Sequence, residues 1–318
     1  MRVAGRDAAS GSRRSAALLA LGLVAVVIGV GLAVALAGTA GPTASAWAHG
    51  VALAASVFLL GLGSLTLLGV DPSSRTVGVT ASVWLVAEVA AMWLTTADRL
   101  GASPSQVSVG DYLRAWSAQP ADLIAVLCAA ACALWAIGRL AGWHDIAATV
   151  VAGLAGIGLV AVAVSGHAST DALGPVVVGV HAAAAAWWCG TLAAMAVSIR
   201  GRAGWAGALP RYSGLALWAV AALTVSGVVA ALVRLDVLGA QGISAVWSSG
   251  YGRVVVAKAL ALALLIGIAA LHRRRWVPRA GSHRMSHVDS VKHASAEIAV
   301  MAVALGLAAG LAGTAPPG

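Results

Sequence analysis

Ionisable side chains are costly inside a bilayer, so the places where a strongly apolar sequence carries them are where its chemistry is to be sought. His49, His181, Glu88 and Lys258 fall within long apolar stretches, and His167 stands at the mouth between two of them. Met92 lies one helical turn from Glu88, on the same face. Counted inward from the outer boundary at about 1.5 Å per helical residue, His49 lies about 5 Å deep, Lys258 about 6 Å, His181 about 10 Å and Glu88 about 12 Å. Imidazole and thioether groups suit a soft or borderline ion such as copper. Being neutral, they need no counter-charge in lipid. The chemistry expected is reversible metal coordination by His49, His167, His181 and Met92. Glu88, as charge compensation, and Lys258, as a cation gate, are transport-path candidates. An ion pair between those two is the simpler alternative, and each histidine alone is equally well explained by a hydrogen bond to a neighbouring helix. Convergence in space decides between these readings.

The elements that position these groups follow from composition. The chain has 318 residues, 60% hydrophobic and 10% charged, with mean hydropathy +0.92, whereas an ordinary soluble chain is about 25% charged. Apolar runs of about 20 residues, enough to cross a bilayer, are expected at 15–37, 46–70, 77–96, 121–138, 146–165, 174–198, 213–232, 254–271 and 294–313. Backbone groups in lipid must bond within the segment, and the alternating strands of a barrel are missing, so the fold class is all-α, a polytopic bundle of about nine helices. Residues 1–14 read as a cytoplasmic N-terminal tail. Ala44-Ser45-Ala46 resembles a signal-peptidase site, but the preceding apolar run is longer than a signal peptide's, which favours a retained anchor.

Charge fixes the orientation. With the N-terminus inside, the inner segments carry fifteen Lys and Arg and the outer segments four, with Lys258 in a span, as retention of positive residues in the cytoplasm requires. The net charge of +9 is therefore a topology signal, and nucleic acid is excluded as a partner because no basic water-facing surface exists to read it. The longest outer loop, 97–120, holds no folded domain. Cys128, Cys132 and Cys189 all lie in apolar runs and read as buried thiols rather than a disulfide framework. The inner loop carries His272, His283, Met285, His287 and His293; it reads either as an exit-side metal relay or as a basic solvated loop. Gly306 and Gly310 have the spacing of close helix packing. Without a Walker loop, a nucleophile elbow or a zinc-protease helix, the chain is not expected to be an enzyme.

From Ser165 onward the chain resembles the bacterial copper resistance D (CopD) family of inner-membrane proteins. The residues that carry the resemblance are Ser165-Gly166-His167-Ala168, His181 with Trp188 and Gly190-Thr191-Leu192, and Arg211-Tyr212-Ser213 with Ala216, Leu217 and Gly227. They continue with Tyr251-Gly252-Arg253, Lys258, Arg273-Arg274-Arg275 with Pro278, Glu297 and Pro316-Pro317. The organisation expected is thus N-terminal helices over 15–164 and a CopD-like membrane region over 165–318. The resemblance implies copper uptake or copper homeostasis at the cytoplasmic membrane, alongside a separate periplasmic copper-binding protein of the CopC type. It also implies that His167, His181 and Lys258 occupy motif positions. Thr191 stands where the family usually has Gly. Two rivals remain. One is a membrane cytochrome with a b-type haem held between His49 and His181, and the other is an assembly factor that delivers copper to a respiratory oxidase.

Overall fold

The computed structural model describes residues 2–165, 173–234, 244–282 and 284–314. Among them there is no strand. Eleven α-helices follow in chain order: α1 Arg2–Ala37, α2 Ser45–Ser64, α3 Ser74–Leu100, α4 Val109–Ala118, α5 Pro120–Leu140, α6 Thr149–Ser165, α7 Gly174–Ser198, α8 Gly201–Arg234, α9 Ser244–Ser248, α10 Gly250–Gly281 and α11 His287–Ala312. Local signals set their starts. Pro120 and Pro175 occupy first-turn positions of α5 and α7, where a missing N–H costs nothing. The hydroxyls of Ser73, Ser108, Ser249 and Ser286 cap α3, α4, α10 and α11 by accepting from otherwise orphaned backbone N–H groups.

Eight helices among the described residues are long and apolar enough to cross a membrane, and the fold is the expected all-α polytopic bundle. The ninth expected span is α6, whose 17 described residues make about 26 Å of helix, short of a hydrocarbon core of about 30 Å. It is packed between α2, α5 and α7. Two details differ from the sequence reading. Helix α1 already begins at Arg2, within the segment expected as a tail. The outer loop after α3 contains the amphipathic helix α4, which Tyr112 pins to α3 by donating to the Val89 carbonyl (3.2 Å) and packing its ring on Trp93.

Helix contacts divide the bundle into two four-helix units. In the first, α2 packs on α3, α3 on α5, α5 on α6, and α6 back on α2; in the second, α7 packs on α8, α8 on α10, α10 on α11, and α11 back on α7. Each unit carries a short helix, α4 or α9, between its second and third long helices. The units meet where α2 crosses α7, and α6 touches α7 as α11 touches α2, so the two units share one order of helix contacts. The crossing point is glycine on glycine. A Cβ on Gly61 would stand 2.0 Å from the Gly190 carbonyl, and one on Gly190 would stand 2.0 Å from the Val57 carbonyl. Gly61 and Gly190 are each the seventeenth residue of their helix. Helix α1 lies outside this symmetry and covers α11, with Gly29 against Gly306 and Ala33 against Gly310, which is the close packing the Gly306/Gly310 spacing suggests.

Candidate functional site

The polar groups of the first unit gather at its outer end and are closed on one another. The Gln119 amide donates to the Met92 sulfur (3.2 Å), and the same side chain accepts from Arg99 (3.0 Å) through its oxygen. His49 Nε2 faces the Thr95 hydroxyl at 3.4 Å, and the Asp122 carboxylate, at the start of α5, acts on its ring. Deeper down, Trp84 donates from its indole nitrogen to Glu88 (2.9 Å). Both are buried, Trp84 against Gly158 of α6, where a Cβ would stand 2.7 Å from the ring. Glu88 therefore bonds one turn along its own helix and makes no ion pair with Lys258. The simpler reading of those two residues as a salt bridge is not what the fold contains.

In the second unit the polar groups are left partly open. His181 Nδ1 lies 3.2 Å from the Leu223 carbonyl and 3.3 Å from the Ser226 hydroxyl, both on α8. Because a carbonyl only accepts, Nδ1 carries the proton, and the Nε2 lone pair is available. Gly227 makes this placement possible, since a Cβ there would stand 3.0 Å from the imidazole. Lys258, on α10, is close enough for its charge to act on His181. It makes no hydrogen bond or ion pair among the described residues. An unpaired ammonium within a span costs about 2.5–3.5 kcal/mol, a cost that packing does not explain.

Of the expected metal ligands, His49 and Met92 lie at the outer end of the first unit, whereas His181 belongs to the second; His167 lies outside the described residues. His49 and His181 make no hydrogen bond or ring contact with each other, and their polar partners sit on different helices. Among the described residues no three His, Cys, Asp or Glu side chains converge on one metal position. A haem held between His49 and His181 has no observation in its favour. Sequence reasoning passed over Thr95, Gln119 and Asp122, which complete the outer group. The available signal was Asp122, an acid in the first turn of an apolar helix.

Several motif residues of the resemblance meet in space. Tyr212 donates to the Trp188 carbonyl (3.0 Å) and stacks on Trp187. Arg273 donates to the Ser213 carbonyl (2.7 Å) and hydroxyl (2.9 Å), and Arg253 donates to the Leu36 carbonyl at the end of α1 (2.7 Å). Pro316 and Pro317 lie outside the described residues. Thr191 is buried at the Gly61–Gly190 crossing, and its hydroxyl has no hydrogen-bond partner among the described residues.

Residues 206–311 match the family model described as copper resistance protein D (CopD). The match begins in α8 and ends in α11, so it includes Gly227, Lys258 and Glu297 but stops short of His167 and His181. No curated protein and no solved structure matches the chain.

Proposed function

We propose that this chain, which belongs to the copper resistance protein D family through residues 206–311 and is a multi-pass protein of the cytoplasmic membrane, takes copper up across that membrane. The single observation that carries the reading is His181, whose imidazole is fixed by α8 with its Nε2 unbonded among the described residues, at about 10 Å depth, within reach of the charge of Lys258, which has no partner among those residues. A neutral ring held by its other nitrogen is how proteins present a metal ligand. A lysine beside it raises the energy of a cation that lingers, which favours passage over storage. His167, at the outer mouth by sequence, is the ligand that hands copper to His181. His49 and Met92 form an outer capture point on the first unit, where Met92 becomes a ligand once Gln119 turns away. The lipid bilayer is the surrounding partner, and a CopC-type donor would dock as a separate chain. Copper is cargo here, and no catalytic step is invoked.

The test is metal content and visible spectrum of the purified protein, wild type against His181→Ala and His167→Ala. One equivalent of copper held by wild type and lost from both variants, without a Soret band, is the expected result. A Soret band that disappears with His181 would replace transport by electron transfer. Wild-type copper that neither variant loses would move the site elsewhere.

A further inference from the structure

The direction of the Nδ1 bond sorts five of the six described histidines, all but His49, into two kinds. His287 Nδ1 accepts from the Trp205 indole (3.1 Å), and His144 Nδ1 accepts from the Ile146 backbone N–H (3.2 Å). In neutral rings of this kind the proton sits on Nε2, so both are committed to holding structure. His272 and His293 are the opposite. His272 Nδ1 donates to the Glu297 carboxylate (2.9 Å), and His293 Nδ1 donates to the Asp289 carbonyl (2.7 Å). Each therefore offers a bare Nε2, and no hydrogen bond is made there among the described residues. The two rings lie with centroids 5.1 Å apart, His293 stacks on Trp276 at 5.6 Å, and Trp276 is in turn fixed by its bond to Ser290. Both histidines and Met285 line one cavity of about 220 Å³ at the inner end of the second unit.

We propose that His272, His293 and Met285 form a second site for a soft metal cation at the cytoplasmic face, with copper(I) the ion that fits, and that Glu297 is the positioning residue that fixes the His272 ring. Two imidazoles and a thioether are a neutral, soft set that selects copper(I) over hard cations. The carboxylate–histidine pair is the arrangement that orients a ligand ring and raises its basicity. Glu297 and Trp276 are buried, so the frame is fixed before any ion arrives. Arg275 and Arg279 also line the cavity, but both are exposed and flexible. They disfavour doubly charged ions more than a singly charged one and so sharpen the same preference. The inference rests on the copper reading above and extends it, placing a release site below the His181 position in the same unit.

The experiment is copper(I) titration of the full chain in detergent under reductant, against a chromophoric copper(I) chelator, with X-ray absorption of the loaded protein. Wild type should show a site with mixed imidazole and sulfur scattering. In a Met92→Leu background, Met285→Leu, a mild change in a turn, should remove the remaining sulfur signal, and His293→Ala should lose one bound ion. Glu297→Leu should weaken that site by about 10–100-fold, with Glu297→Gln, whose amide oxygen still accepts the Nδ1 proton, recovering most of it. His181→Ala should leave the sulfur-containing site intact. If Met285→Leu and His293→Ala keep wild-type stoichiometry, affinity and scattering while His181→Ala loses copper, the inner site is wrong and the transport reading stands. If wild type binds no copper(I), both fall.

Discussion

The first four-helix unit closes its polar groups on one another, whereas the second leaves them open, although both repeat the same order of helices about the Gly61–Gly190 crossing. Glu88 is satisfied by Trp84, and Met92 by Gln119, which Arg99 in turn holds. Across the crossing, His181, His272 and His293 keep free Nε2 atoms and Lys258 has no hydrogen-bond or ion-pair partner among the described residues. Of the spanning helices among the described residues, α2 is the most buried and α8 and α10 are the least. His181, Lys258, His272 and His293 are each only partly buried, so these nitrogens stay within reach of an ion. The family match also falls entirely in the second unit. On the proposed reading, this difference makes the first unit scaffold with an entry point and the second the carrier of the cargo.

The comparison is broken most severely at the crossing itself. Gly61→Leu should cost at least the 1–3 kcal/mol or so of an overpacked core, because its side chain has only the Gly190 backbone to enter. Fluorescence-detected size exclusion should show aggregation, and a normal monodisperse peak would mean that the units do not cross there. Next comes Lys258→Met, which removes a lone ammonium costing about 2.5–3.5 kcal/mol. The melting temperature should rise while copper transport changes, and a fall in melting temperature would show that the lysine is structural. The first unit should respond in the opposite sense. Glu88→Leu strands the Trp84 N–H and should cost about 1–3 kcal/mol, while Glu88→Gln, which can still accept that bond, should melt close to wild type. The smallest effect is expected from Met92→Leu, a volume-conserving swap below about 1.5 kcal/mol, with transport slowed only at low external copper. A complete loss of transport there would move the cargo path into the first unit.

What could be read from the sequence was set by the range of the interactions involved. Spans of about 20 apolar residues are local, and the limits of α7 appear in the structure as expected, Gly174–Ser198. The Trp84–Glu88 bond was also local, an i, i+4 pair, yet attention to Glu88 as a partner for Lys258 hid it. The two-unit architecture was not legible, since its symmetry lies in helix contacts and no repeated sequence accompanies it. Gly61 illustrates the difficulty: one glycine in an apolar helix gives no sign that it meets the seventeenth residue of another. Among the metal candidates, the helix carrying each residue was legible but the direction of its side chain was not. His49 and His181 lie on helices that pack together, yet one turns to α3 and the other to α8. The pairing of His272 with Glu297 joins α10 to α11 across 25 residues, and only the fold selects it from the many histidines of that loop.

The most direct test of the division between the units is copper(I) uptake into proteoliposomes by His181→Ala and by the double variant His49→Ala with Met92→Leu, measured side by side at saturating copper. With the cargo path in the second unit, His181→Ala should lose uptake by tenfold or more, equivalent to about 1.4 kcal/mol, and the double variant should stay near wild type. Loss of uptake by the double variant with His181→Ala unaffected would contradict the account.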